Sequence, residues 1–385
     1  MSKTVAESDG TLVENIPFPD DVQPEEQPGE RPAKKKKKHS FFGTLLKILM
    51  ILVILVFGAL FAFYQIKLNK MYKASGSEVF SKADVYCDEE ARSYLKKTGL
   101  RYQSILIYGV DARNSVDLLK NTNADTAILL VIDNLTHRVQ LVSIHRDMFT
   151  ERASGGSGKL TDIYAGYGIK ESMDTINRSL DLHVTEYVAV NWFALAKAAD
   201  LLGGIDLFLT SAEVDFINFR IEYTAPVLGE PVTYLENKGD GIYRMNGVQV
   251  VCHCSNRAVG RDDISRAERQ RDVLSAMFAA AKTKDLKTLN AVVDRMLPDI
   301  STNLSALSLT LMTFDVIGMK LDESRIFPFK YIGQKDLGPS YVYCDTLISN
   351  VSELHKVLYG TEDYKPSKTV QGVSAFIDAY RAEHP

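Results

Sequence analysis

Apolar and polar positions alternate along this chain in blocks that mark out its parts. From Phe41 to Ile66 almost every residue is apolar, with Lys47 the one charge. The uninterrupted part, Ile48 to Ile66, is about the ~20 residues a helix needs to cross a bilayer. Further on, Ser104–Tyr108 (SILIY) is a short β-branched run closed by Gly109 and predicts a buried strand. Thr126–Ile132 and Val139–Ile144 are two more such runs, joined by the turn Asp133–His137, and predict a β-hairpin. A helix is expected from about Glu171 to Leu180, a strand over Glu186–Asn191, and a helix over Trp192–Leu202 ended by Gly203–Gly204. Another strand follows at Ile205–Leu209, and a last short helix at Val373–Ala382. Strands alternating with helices predict an α/β sandwich.

Composition settles how these blocks are arranged about a membrane. Residues 1–33 are acidic, contain Pro and Gly, and have few large apolar side chains, as disordered segments do. Lys34–Lys38 then form an unbroken lysine run beside the apolar segment. By the positive-inside rule that run stays cytoplasmic. No small-residue cleavage site follows, so the segment reads as an uncleaved signal anchor. Lys47 can snorkel to the interface. The expected organisation is a cytoplasmic tail (1–40), an anchor (41–66), a stalk (67–98), an external domain (99–360) and a C-terminal tail (361–385). The expected location is the cell membrane, single-pass, with the main domain extracellular. The net charge of −4 is near neutral, and the lysine run sits at the anchor, where it sets topology and touches anionic lipid. Nucleic acid is therefore excluded as a partner. Of four cysteines, Cys87 and Cys344 flank the external domain and are candidates for a disulfide; Cys252 and Cys254, read as a strand, would face the same side. Cys252, His253 and Cys254 lack a second ligand pair for a zinc site.

The densest chemistry lies in NRAVGRDDISRAERQRDVL, residues 256–274, with arginines at 257, 261, 266, 269 and 271. Ser265 and Glu268 have capping-box spacing, and Val273, Leu274, Met277 and Phe278 follow at helical period. Arg266 is thus expected in a first helical turn, with Gln270 on the same face. Guanidiniums at a helix start suit a phosphate or pyrophosphate. The alternative is an exposed helix whose acidic residues, Asp262, Asp263, Glu268 and Asp272, balance the arginines. Upstream, Asp111, Arg113, Asp125 and Arg146 stand at predicted strand ends, where sites in α/β sheets collect. Paired carboxylates with phosphate oxygens suit Mg²⁺. SGGSGKL, residues 154–160, is expected to be a mobile loop carrying Lys159; it lacks Walker spacing.

The ordered series GVDAR (109–113), ADT (124–126), SIHRD (143–147), KLTDIYAGYG (159–168), YVAVNWFALAKAADLLGGIDL (187–207), MNGVQ (245–249) and the arginine segment resembles the LytR-CpsA-Psr family over roughly residues 99–350. The resemblance implies a central mixed β-sheet flanked by helices, with an apolar cavity for a polyprenyl chain. It implies a membrane-anchored transferase of the bacterial envelope. The donor would be a glycopolymer such as teichoic acid or capsular polysaccharide on an undecaprenyl (pyro)phosphate, and the acceptor a peptidoglycan hydroxyl. Asp111 and Asp125 match the family's Mg²⁺-linked aspartates, with Mn²⁺ as a substitute. Arg113, Arg146, Arg257, Arg266 and Gln270 match its pyrophosphate-binding set, and Lys159 a basic residue nearby. Asp263 matches an acidic residue beside the catalytic arginine segment, as base or as orienting group.

Three positions depart from the family pattern. Asn123 and Ser255 stand where arginines are usual, and His145 where proline is common. Arg261, in the same loop, is a candidate to replace one lost arginine. The departures keep two other readings open: a non-catalytic or regulatory envelope protein binding polyprenyl-linked glycans, and a polyprenyl pyrophosphate hydrolase.

Overall fold

The computed structural model of the protein describes residues 80–98, 101–112, 118–260, 262–333 and 341–384. The expected anchor at 41–66 lies outside them; among the described residues no helix is long and apolar enough to cross a membrane. In chain order the strands are β1 (Tyr102–Val110), β2 (Ala124–Asp133), β3 (Arg138–Ile144), β4 (Phe149–Glu151), β5 (Ser157–Lys159), β6 (Glu186–Val190), β7 (Ile205–Leu209), β8 (Gly241–Met245), β9 (Ile300–Thr302), β10 (Lys320–Leu321), β11 (Arg325–Phe327), β12 (Tyr331–Gly333) and β13 (Val342–Cys344). The helices are α1 (Glu89–Thr98), α2 (Leu160–Leu180), α3 (Trp192–Leu201), α4 (Ser211–Leu228), α5 (Gly247–Cys254), α6 (Asp262–Lys282), α7 (Leu286–Met296), α8 (Ala306–Asp315), α9 (Leu347–Tyr359) and α10 (Lys368–Glu383).

The central sheet is mixed. Its order is β10, β3, β2, β1, β6, β9, with β11 also on β3. The predicted hairpin is there: β2 and β3 are antiparallel, with Ala127 opposite Ile144 and Asp133 opposite Arg138. β1 is antiparallel to β2 and parallel to β6. Alternation along each strand sends side chains to two cores. Leu106, Tyr108, Leu129, Val131 and Val142 pack with α2, α9 and α10 on one face. Ile128, Ile132, Val139 and Leu141 pack with Leu274 and Phe278 of α6 on the other. Helices therefore cover both faces, as the sandwich requires.

One irregularity matters for the site. Gly109 pairs with Thr126, but Val110 pairs with Ala124, so Asp125 is an extra residue without a partner on β1. It is a β-bulge, and it changes the strand's parity. Ala124 joins the same core as Ala127 and Leu129, although an unbroken count would place it opposite.

Several expectations change on folding. The segment SGGSGKL is a tight hairpin: Ser157–Lys159 pairs with Phe149–Glu151 across Gly155 and Gly156, whose φ values are 96° and 83°. The helix expected from Glu171 begins at Leu160, with a break at Gly168 (φ 85°). The polar Gly-rich lead-in concealed its first turns. Cys252 and Cys254 lie on α5, not on a strand, and all four thiols are free, so Cys87 and Cys344 do not pair. Burial pushes the Cys344 thiol up to about 12, which makes it inert. Residues 80–98 pack on the domain: Val85 and Ala91 are buried and Phe80 stacks on Tyr187. The C-terminal segment folds too, burying Val370, Val373 and Ile377 of α10. Its anchor is buried Asp181, which accepts from the Ser367 backbone N–H, the Ser367 hydroxyl and the Tyr364 hydroxyl.

MNGVQ is the start of α5. Asn246 caps it and Gly247 lies against α3, where a Cβ would stand 2.2 Å from the Ala196 carbonyl oxygen. Gly247→Ala is expected to force α5 off α3 and cost roughly 2 kcal/mol in urea unfolding.

Two buried histidines also set a pH dependence. Desolvation lowers His355 and His253 from 6.5 to about 4 each. Both fold as neutral rings, so their contribution is complete above pH 6.5 and is lost as pH falls from there toward 4. The expected loss is about 1 kcal/mol per pH unit for each histidine. His355→Phe, which keeps a ring stacked on Tyr364, should flatten the fall in melting temperature between pH 6.5 and 4.

Candidate functional site

The bulge turns Asp125 toward the start of α6, and the site is built around its carboxylate. Arg146, two residues past β3, donates from Nη1 to Asp125 Oδ1 at 2.5 Å. Arg266 Nη1 is 3.5 Å from Oδ2, and Arg257 Nη2 is 3.7 Å from the same oxygen. Three guanidiniums thus converge on one carboxylate. They differ in solvation: the Arg266 side chain is only 3% exposed and that of Arg257 is 53% exposed. Arg266 is a fixed charge within the protein, whereas Arg257 reaches into open solvent.

Asp111 sits just past β1, held from two sides. Its backbone N–H donates to the Asn123 carbonyl at 3.1 Å, and its Oδ1 accepts from Trp192 Nε1 at 2.9 Å. Asn123 therefore keeps the backbone role of its position without a guanidinium. Asp111, Asp125, Arg257, Arg266, Trp192 and Ser255 all line one cleft of about 850 Å³. Among the described residues no cluster of three or more His, Cys, Asp or Glu is arranged for a metal. Two carboxylates on one cleft do fit a Mg²⁺ ion that takes its remaining ligands from phosphate and water.

Gln270 is on the same face of α6 as Arg266, as expected. Its Oε1 accepts from Thr126 Oγ1, and its Nε2 donates to the Cys254 carbonyl. It stands at a boundary. On one side it lines the polar pocket with Asp125, Arg146 and Arg266; on the other it lines an apolar cavity of about 80 Å³. That cavity has a floor of Ile107, Gly109 and Ile128 from the sheet and walls of Leu195, Val273 and Leu274. Trp192 lines both it and the open cleft.

Lys159 is placed one step back. Its Nζ pairs with Asp147 at 3.1 Å, and Asp147 also faces Arg146 Nε at 3.4 Å. Lys159 thus acts on the cluster through Asp147 and Arg146 and does not line the cleft. α6 begins at Asp262, so Arg266 falls in its second turn, and the capping box expected at Ser265 is not the helix start. Asp263 is in the first turn; its side chain, with Arg113 and Arg261, lies outside the described residues.

Sequence reasoning missed four parts of the site: Thr126, Asp147, Trp192 and Arg269. The first three lie inside motifs already noted, next to a charged or helix-starting residue that drew the attention. Arg269 was counted among the arginines without a role. It is buried, with Nε 2.7 Å from Glu213 Oε1, Nη1 3.1 Å from the Asn256 carbonyl and Nη2 on the Val259 carbonyl. It clamps the segment that carries Arg257 to α4 and α6. Arg269→Ala takes the guanidinium's donors from Glu213 Oε1 and two carbonyls, leaving Thr210 as the donor to Glu213 Oε2, and is expected to cost about 3 kcal/mol in chemical denaturation. Arg269→Lys should recover little of it, since one ammonium cannot replace a planar fork.

The mixed sheet, its two helical layers and the cleft define an α/β protein with a guanidinium cluster beside an apolar cavity. The chain belongs to the LytR_cpsA_psr family, whose model matches residues 62–356. It is 27% identical over 253 residues to Biofilm regulatory protein A of Streptococcus mutans, covering 62% of this chain and 59% of that one. It is 29% identical over 250 residues to the polyisoprenyl-teichoic acid–peptidoglycan teichoic acid transferase TagU of Bacillus subtilis, covering 64% and 72%. The chain thus spans less than two thirds of the first of these relatives. The fold is shared with TagT of Bacillus subtilis, solved with octaprenyl pyrophosphate bound, at a TM-score of 0.52 and 18% identity over 75% of this chain and 100% of that one.

Proposed function

We propose that this protein is a membrane-anchored transferase that moves a glycopolymer from a polyprenyl pyrophosphate carrier to a peptidoglycan hydroxyl, forming a phosphodiester. The observation that carries the reading is the meeting of an apolar cavity and a guanidinium cluster at Gln270 and Trp192. A polyprenyl pyrophosphate has that same division, an uncharged chain ending in a multiply charged head. The teichoic acid transferase TagU and the lipid-bound TagT support it by name. At about 80 Å³ the cavity holds only a short stretch of the isoprenoid chain.

In the proposed reaction the acceptor oxygen attacks the phosphorus on the glycan side, and the bond from that phosphorus to the lipid phosphate breaks. The lipid phosphate leaves with the electron pair, and the hydroxyl proton passes to a base. Asp263, in the first turn of α6, is the candidate for that base. Such transfers depend on positioning and charge neutralisation. Arg266, fixed and desolvated, would stabilise charge on the bridging and non-bridging oxygens. Arg146 would do the same from the sheet side, held by Asp125 and Asp147. Arg257 would reach the head from the solvent side, and Arg113 and Arg261 are the further basic candidates that the sequence offers. Asp111 and Asp125 would hold Mg²⁺ (or Mn²⁺), which supplies positive charge to the phosphates. The extracellular face of a cell membrane, reached through the anchor at 41–66, is the proposed location.

Ser255 favours a second reading. It lines the cleft where the family pattern has an arginine, and a weakened head-group site would suit a non-catalytic glycan-binding protein. An in vitro assay with a polyprenyl pyrophosphate glycan, peptidoglycan fragments and Mg²⁺ separates the readings. We expect acceptor-linked phosphodiester from the wild type, a loss of 100-fold or more in Arg266→Ala and Asp125→Ala, and abolition by chelator. Val273→Trp, which fills the apolar cavity, should weaken binding of the lipid donor. Lipid binding without product would favour the non-catalytic protein; acceptor-independent phosphate release would indicate a hydrolase.

A further inference from the structure

The cleft has a second wall that the phosphate cluster does not use. One face of α4 presents Phe216, Arg220, Tyr223 and Val227 to it. These positions recur every three or four residues and run about 16 Å along the helix. The other face of α4 is buried core: Val214, Ile217, Ile221 and Ala225. Fold stability therefore accounts for that inner face and not for the cleft face. Tyr223 is 62% exposed and Val227 49%. Arg220 makes no ion pair with any described residue, although its helix also carries Asp215 and Glu222.

Large apolar side chains exposed toward a polar cleft mark a binding surface. Aromatic faces beside a guanidinium suit one chemistry in particular, a saccharide. The ring C–H faces of a sugar lie on the aromatic side chain, and its hydroxyl or phosphate oxygens accept from the planar fork. Position argues the same way. The apolar cavity lies beyond Trp192 and Gln270, and the charges around Asp125 stand between that cavity and the open cleft. With a lipid chain in the cavity and its pyrophosphate at the charges, whatever is attached to the far phosphate enters the cleft along α4.

We propose that Phe216, Arg220 and Tyr223 form a saccharide subsite that holds the first sugars of the donor glycan; this rests on the polyprenyl pyrophosphate reading above. The test compares two short-chain probes by calorimetric titration of the full-length protein in detergent. One is farnesyl pyrophosphate; the other is farnesyl pyrophosphate linked to an N-acetylhexosamine disaccharide. Arg220→Ala and Tyr223→Ala, both at exposed positions, should each weaken the disaccharide probe about tenfold and leave the bare pyrophosphate unchanged, with unaltered melting curves. Equal loss for both probes would make Arg220 a pyrophosphate ligand in place of the arginine absent at Ser255, and would overturn the subsite. Unchanged affinity for the disaccharide probe would overturn it as well. If the wild type binds neither probe, the lipid-carrier reading itself fails and the subsite falls with it. If it binds the bare lipid and gains nothing from the sugars, only the subsite fails.

Discussion

Asp125 is the centre on which the rest of the site depends. Arg146 comes from just past the end of β3 and Arg257 and Arg266 from the segment 256–274, and the three would repel one another without it. A single carboxylate within 3.7 Å of all three lets them share one region. Each is then supported from behind by something else. Asp147 holds Arg146, the second turn of α6 holds Arg266, and the Arg269 clamp holds the segment of Arg257. Arg146 and Arg266, the two less exposed of the three, are held in place without a ligand, which is the condition for strong electrostatic stabilisation.

The apolar half of the site follows from the sheet. β1, β2 and β6 put Gly109, Thr126 and Val190 side by side, and α3 and α6 close over them. At Gly109 an added Cβ would stand 3.0 Å from the Thr126 hydroxyl, which is bonded to Gln270. A small residue there keeps the polar boundary intact and the apolar floor open. The two halves therefore meet at the Thr126–Gln270 hydrogen bond, beside the Asp125–Arg266 contact between the same strand and helix.

Much of this could be read from the residues beforehand, for physical reasons that vary by element. β1 to β3 announce themselves because buried strands need unbroken β-branched runs. Asp111, Asp125, Arg146 and Arg266 stand out because charges at the ends of such runs need an explanation. The start of α2 was hidden because Gly155, Gly156 and Gly158 look like a loop when their hairpin partner, Phe149–Glu151, is distant in pattern. The roles of Lys159 and Arg269 were hidden for another reason. A basic residue's partner is a matter of three-dimensional position, and nothing in spacing tells a ligand from a clamp. The wall of α4 gave no signal, because an exposed aromatic on a helix looks the same whether it borders a cleft or bulk water.

The bulge at Asp125 has a consequence for how this site can change over time. In a regular strand, Asp125 and Thr126 would point to opposite faces, and the carboxylate would be buried under α2. One surplus residue gives both neighbours to the same side, the first to the charges and the second to the apolar floor. A deletion at this point would heal the ladder while erasing the centre, and an insertion would leave two surplus residues and move the carboxylate out of place. The strand end is thus closed to variation in length as well as to the loss of the Asp125 carboxylate. Two compartments of opposite character are kept adjacent by a counting error that the fold cannot afford to correct.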